Sequence, residues 1–328
     1  MDWRNDILDR LAAQIPCGYH PSGPAGAEPT ALAAMALSAA NRPAAKAVEW
    51  LGARQSSDGS VSTLTAPSKP REGRKESPHS QPTSPAFPGL SSDYASEPHP
   101  DWPTGWAILA ALSVNRDTNA KAQKSSFDVS RATNWILQSA GDSAESDESR
   151  RKAAIVGWPW VNGTYSWVEP TAIHIVALKA AGFAEHRRTR EAMTMLTDRL
   201  LPSGGCNYGN TIVLGQELLP HVQPTGLAIL ALAGSVDADG RIERSLRFLE
   251  DSLSVETTAA SLSYGLIGLA AHDRYPAGAA KWLEAAYRRT IARDGAAYKL
   301  ALLSLAVLGE KCPLVALSAN PARVSQER

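Results

Sequence analysis

Two kinds of apolar pattern alternate along the chain. In one, apolar residues occupy nearly every position of a helix-length run, as in "AIHIVALKAAG" from Ala172 or "GLAILALAGS" from Gly226. Such a run predicts a helix buried on most of its circumference. In the other, apolar residues recur at three and four positions with Arg, Glu and Gln between them. "AAKAVEWLGARQ", "VSRATNWILQSA", "RTREAMTMLTDRLL", "IERSLRFLEDSL" and "GAAKWLEAAYRRTI" all read this way. These predict outer helices that cover the inner ones.

The all-apolar runs are copies of one another. "AEPTALAAMALSAA", "DWPTGWAILAALS", "VEPTAIHIVALKAAG" and "VQPTGLAILALAGS" share an acidic, aromatic or amide residue, then Pro-Thr, then a small residue and an apolar run. Their threonines are Thr30, Thr104, Thr171 and Thr225. Proline is tolerated at a helix opening and threonine can cap one, so each copy is expected to start an inner helix with the threonine as cap. "ETTAASLSYGLIGLAA" and "GAAYKLALLSLAVLG" read as two further inner helices without the proline. Apolar runs rich in Ala and Leu, with few β-branched residues, give no strand signal. An array of such pairs can close on itself, so the expected fold is all-α: one α/α toroid of about five to six helix pairs, a single domain spanning 1–328.

The threonine spacings are uneven, so extra residues belong in loops. The stretch 60–98 is dense in Ser and Pro and poor in aliphatic residues, a composition that cannot support a core and predicts a flexible insertion. "GDSAESDESRRK" reads as another polar loop. The repeat resumes after each, so neither is a domain boundary.

Charge and cysteines narrow the function classes. Thirty-three basic residues balance 33 acidic ones, which gives no electrostatic footprint for nucleic acid. Three cysteines stand far apart, without a CxxC pair, so no disulfide framework or zinc ribbon is indicated. The start is charged and amphipathic, and no apolar run has the length to span a bilayer. A cytoplasmic protein is expected, with peripheral membrane contact and a partner subunit left open.

With the repeat in place, the residues resemble the prenyltransferase and squalene-oxidase repeat proteins, which include squalene–hopene cyclases and the β subunits of protein prenyltransferases. "GWPWVNGTYSWVEPTAIHIVALKAAG" looks like that family's unit, a Gly-Trp entry followed by an inner helix. "AVEWLGARQSSDGSV" is similar to the cyclases' QW motif through Trp50, Leu51, Gln55 and Gly59, with Val61 at its final tryptophan. Trp135 and Gln138 form a second partial copy, and "PSGGCNYGN" resembles a Gly-Gly-Trp loop with Cys206 as the third residue. The resemblance implies a ring whose central cavity binds an isoprenoid or other apolar molecule and, if the chain is an enzyme, cyclises it as an intramolecular transferase of the isomerase class. The competing class is a non-catalytic repeat scaffold that binds protein through its rim or insertion.

The family's chemistries are only partly present. In the cyclases' Asp-x-Asp-Asp-Thr-Ala motif the middle acid donates a proton; in "WVEPTA" Glu169 takes that register, while Trp167 and Pro170 replace the flanking aspartates. Glu169 is therefore the candidate acid. Its other reading is a carboxylate favoured by a helix N-terminus, as Glu28 would be in another repeat. No Asp-x-Cys zinc motif occurs, so no cofactor is expected; Cys206, Glu217 and His221 are the residual candidates for a metal. Cys206 is followed by Asn207, Tyr208 and Gly209, which excludes a thioester motif, and the loop lacks the ending of a phosphate loop. Candidate pocket residues are Trp158, Trp160, Tyr165, Trp167, His174 and Tyr208. The aromatics have a second reading, as joints between neighbouring units, and His174 has one as a hydrogen-bonded core histidine.

Overall fold

A computed structural model describes residues 2–63, 100–116, 126–142 and 155–318. From residue 64 on, the Ser/Pro-rich insertion lies outside them, as does the polar run from residue 143 to 152. Among the described residues thirteen α-helices run along the chain: α1 (Trp3–Gln14), α2 (Ala27–Ala39), α3 (Ala45–Gly52), α4 (Thr104–Arg116), α5 (Val129–Gln138), α6 (Val168–Ala180), α7 (Arg187–Arg199), α8 (Val222–Ala231), α9 (Arg241–Ser252), α10 (Ala259–Ala270), α11 (Ala279–Arg293), α12 (Ala297–Ala306) and α13 (Pro313–Ser318). The expected all-α class holds. One correction is a hairpin of β1 (Ile212–Val213) and β2 (Gln216–Glu217), where no strand was expected. Leu214 and Gly215 both take positive φ at its turn, the twist that a two-residue hairpin loop requires, and this local turn outweighs the missing β propensity.

The even-numbered helices from α2 to α12 are the inner ones. Every residue of α2 from Ala27 to Ser38 is buried, as is every residue of α6 from Val168 to Lys179. The outer helices bury one face only, for instance Ile242, Ser245, Leu246 and Leu249 of α9. Each inner helix packs on the next: α2 on α4, α4 on α6, α6 on α8, α8 on α10, α10 on α12, and α12 on α2. The outer helices α3, α5, α9 and α11 each pack against two successive inner helices, and α7 packs on α6. The charged, amphipathic start forms α1 and packs against both α12 and α2.

The repeated threonines do not cap their helices. The caps of α2, α6 and α8 are Gly26, Trp167 and His221, whose carbonyls accept from the backbone N–H of Thr30, Thr171 and Thr225. The threonine hydroxyl is used instead to hold the loop that enters the unit. Thr30 Oγ1 accepts from Cys17 N, Thr104 from Val61 N, Thr171 from Trp158 N and Thr225 from Cys206 N, at 2.9–3.1 Å. The same hydroxyls lie 3.1–3.5 Å from the carbonyl oxygens of those four residues. A buried backbone strand end is thus satisfied by one side chain, which avoids the penalty of an unpaired N–H. Val61 and Cys206 stand where the resemblance placed missing tryptophans, and both are buried. Ser60 and Val61, assigned to the edge of the insertion by composition, therefore belong to the core.

Two glycines make these joints possible. Gly59 and Gly204 both sit at φ +104°, and a Cβ on either would meet the backbone carbonyl of Arg131 or Arg244 at 2.4 or 2.5 Å. Each loop thereby reaches the outer helix that follows it. Gln55 reinforces the first contact: its amide donates to Asp128 O at 2.8 Å and its Oε1 accepts from Asp128 N at 2.9 Å.

Candidate functional site

Because the four Pro-Thr units enter the helix array in the same way, the residue before each proline lands in an equivalent place. Those residues are Glu28, Trp102, Glu169 and Gln223, and all four line one cavity of about 210 Å³ at the N-terminal end of the inner helices. Trp106, Ile173 and Leu227, one turn further along their helices, form its inner wall. Tyr264 from α10 and Tyr298 from α12 add two phenols, Tyr19 stands half-exposed at 47 % on the rim, and Trp160 closes the remaining side.

The rings are ordered by mutual packing. Trp102 and Trp160 meet edge to face with centroids 4.6 Å apart, and Tyr19 and Tyr298 lie at 5.0 Å. Edge-to-face geometry sets the positive rim of one ring against the negative face of another. The close approach of α8 and α10, where Gly226 faces the Tyr264 carbonyl and Gly268 faces Gly226, fixes the depth of Tyr264.

The two carboxyls sit in different settings. Glu28 accepts hydrogen bonds on both oxygens, from the Tyr19 hydroxyl and from the Tyr264 hydroxyl at 3.1 Å. Glu169 accepts from Gln223 Nε2 at 2.8 Å on Oε1, and among the described residues Oε2 has no donor. Each residue is 7 % exposed. Burial pushes each carboxyl up to about 7 against the hydrogen bonds that pull it down, and Glu169 raises Glu28 a little further. Glu28 lies on α2 and Glu169 on α6, with α4 between them in the order of packed inner helices, so the carboxyls reach the cavity from two separate helices. Among the described residues the lining has no Lys, Arg or His.

The candidates read from sequence are distributed differently. Glu169 and Trp160 line the cavity. Trp158 is fully buried and serves as a joint: its Nε1 donates to Ile136 O at 3.0 Å, and the Arg188 guanidinium stacks 4.0 Å above its ring. Arg188 in turn donates to the carbonyls of Val156 and Gly157, tying α7 to the entry loop. Tyr165, Trp167 and Tyr208 are surface residues, 49 %, 38 % and 41 % exposed, and none of them lines the cavity. Trp167 packs against Gly209. His174 is buried behind the cavity, edge-on to Trp135 and Trp158. Burial, and after it the Arg188 charge, pushes the imidazole down to about 3 against the Trp102 carbonyl, and among the described residues no hydrogen bond of normal geometry reaches either ring nitrogen.

The residual metal candidates are not brought into a cluster. Cys206 is fully buried, and burial pushes its thiol up to about 12. Glu217 is exposed and hydrogen-bonds Ser203, while the His221 ring lies beside Tyr208. Among the described residues no three His, Cys, Asp or Glu side chains are grouped so as to hold a metal ion.

Sequence reasoning passes over Trp106, Gln223, Tyr264 and Tyr298, reads Glu28 as a carboxylate at a helix N-terminus, and gives Tyr19 and Trp102 the same joint reading as the other entry aromatics. A signal was present for three of them: the position before Pro-Thr varies as Glu, Trp, Glu, Gln while the threonine does not. Comparison with known proteins adds no identity: no family model and no curated protein matches the chain. No helix among the described residues is long and apolar enough to cross a membrane.

Proposed function

We propose that the chain is a closed α/α toroid of six helix pairs, akin to the squalene cyclase and prenyltransferase repeat proteins, that binds a small apolar or isoprenoid molecule in its central cavity. The return of α12 to α2, with α1 covering both, supports the closed ring. The observation that carries the binding reading is the convergence of equivalent residues from four units, plus three tyrosines and two further tryptophans, on one cavity. Structural repetition alone would not place polar and aromatic groups at each such position. At about 210 Å³ the cavity falls below the ~300–1,000 Å³ usual for drug-sized ligands, so it fits a short isoprenoid or one end of a longer one. Three free, buried cysteines accord with a reducing cytoplasm.

In the catalytic form of this reading the protonated form of Glu169 gives its proton to a substrate double bond, and a proton lost from the cyclised cation restores the carboxyl. A carboxyl near 7 is a weaker acid than an ordinary one, so the environment supports holding a substrate more than protonating it. The scaffold reading has one observation of its own, the apolar hairpin region with Leu214 98 % and Leu219 79 % exposed.

Native mass spectrometry of protein purified without detergent tests the proposal. A stoichiometric small apolar ligand that is lost in Trp160→Ala supports it; an empty chain that also shows no thermal shift with short isoprenoid alcohols contradicts it. Unchanged turnover in Glu169→Gln would remove the acid assignment.

A further inference from the structure

We infer that the molecule this cavity selects is a small organic cation, an alkylated ammonium placed between the Glu28 and Glu169 carboxyls and enclosed by aromatic rings. The inference rests on the reading that the cavity binds a small molecule, and it names the chemical class. A neutral hydrocarbon would be served by Ile173, Leu227 and the rings alone, and would leave two carboxyls buried without an opposite charge. Burying an unpaired carboxylate is costly, and a cation between the two offsets that cost on both at once.

The geometry suits a cation at three points. The carboxyls enter from α2 and α6, two helices separated by α4, and both line the cavity, so a positive charge held there meets both. Glu169 Oε2 is left without a protein donor among the described residues, whereas both oxygens of Glu28 are held by tyrosine hydroxyls. Glu28 is therefore held in place by its two tyrosines, and Glu169 is the carboxyl available for direct contact. Finally, the Trp102 and Trp160 pair and the Tyr19 and Tyr298 pair line the space with aromatic rings, whose faces attract N-alkyl cations, and among the described residues no basic side chain competes from the lining. An anion, by contrast, would face two carboxyls and no cationic group.

The experiment is calorimetric titration of the full chain with tetramethylammonium and choline, and with 3,3-dimethylbutan-1-ol, the uncharged carbon analogue of choline. The expected result is that choline binds ~10-fold or more tightly than the alcohol. Glu169→Gln should erase that preference while its helical circular dichroism spectrum stays unchanged; if this variant does not fold, Trp160→Leu, partly exposed on the rim, is expected to lower cation affinity in its place. Equal or tighter binding of the alcohol overturns the inference and leaves the cavity reading standing. Binding of none of the three while a neutral ligand co-purifies has the same consequence. Binding of none, with no ligand found by native mass spectrometry, overturns both.

Discussion

At the N-terminal end of the inner helices four repeat positions place Glu28, Trp102, Glu169 and Gln223 around a cavity, whereas at the C-terminal end the same helices are tied shut. There the buried Lys179 of α6 donates to the carbonyls of Ala231 and Ala233 at the end of α8, at 2.8 and 3.0 Å. The short α13, following α12 through the turn Gly309–Lys311, packs against α4, α6, α8 and α10. A second contrast lies within a single turn. The threonine of each unit is the same in all four and joins the entry loop to the helix; the residue two positions earlier varies as Glu, Trp, Glu and Gln and lines the cavity. Repetition secures the joint, and variation next to it shapes the site.

The joint should be much more sensitive to mutation than the cavity wall. Trp158→Ala removes a fully buried ring, its hydrogen bond to Ile136 O and the platform under Arg188, and is expected to cost ~3–5 kcal/mol in denaturant unfolding. A loss below about 1 kcal/mol would show that Trp158 is not a joint.

The next largest effect is of opposite sign and comes from the cavity. An unfolded glutamate ionises near its ordinary value, while the folded Glu28 and Glu169 hold their protons up to about 7. Between about pH 4.5 and 7 the folded state therefore binds more protons than the unfolded one, and their contribution to stability falls as pH rises. The double variant Glu28→Gln/Glu169→Gln should lack that decline and be more stable than the wild type at pH 7.5 in the absence of ligand. His174, pushed down to about 3, works the other way, adding stability as pH rises through its window. It is common to both proteins, so the difference between their pH profiles isolates the carboxyls; parallel profiles would contradict the assignment.

Thr171→Val strips the partner from Trp158 N inside the core and should cost ~1–3 kcal/mol, with Thr225→Val similar through Cys206 N. A loss below about 0.5 kcal/mol in either variant would show that the hydroxyl does not hold the entry loop. Trp160→Leu, on a partly exposed ring, should change stability by less than ~1 kcal/mol and act on ligand affinity alone. Loss of folding in this variant would erase the distinction between wall and joint.

The alternation of all-apolar and amphipathic runs made the inner and outer helices legible, because burial on all sides or on one leaves a direct mark in the residue pattern. The threonine position was legible too, but its role was not, since a hydroxyl in a helix opening can serve the helix or a loop thirteen residues upstream, as Thr171 serves Trp158. In the site, Glu169 and Trp160 were marked by the Pro-Thr register and the aromatic cluster. Tyr264 and Tyr298 were not, because α10 and α12 lack the proline and their tyrosines reach the cavity only through helix packing. Tyr165 and Trp167 misled for a related reason: composition placed them in the aromatic cluster, while the backbone turned them outward to 49 % and 38 % exposure.

The central claim is that buried carboxyls from separate repeats line one aromatic cavity. Carboxyl carbon NMR titration of the glutamates, with Glu28→Gln and Glu169→Gln for assignment, tests it most directly. The structure predicts two glutamates with midpoints near 7, each lost in one variant, the Glu28 midpoint moving down when Glu169 is neutralised. Two midpoints at the ordinary glutamate value, indifferent to each other, would mean that the carboxyls are solvated and apart, and that the cavity is not the site described.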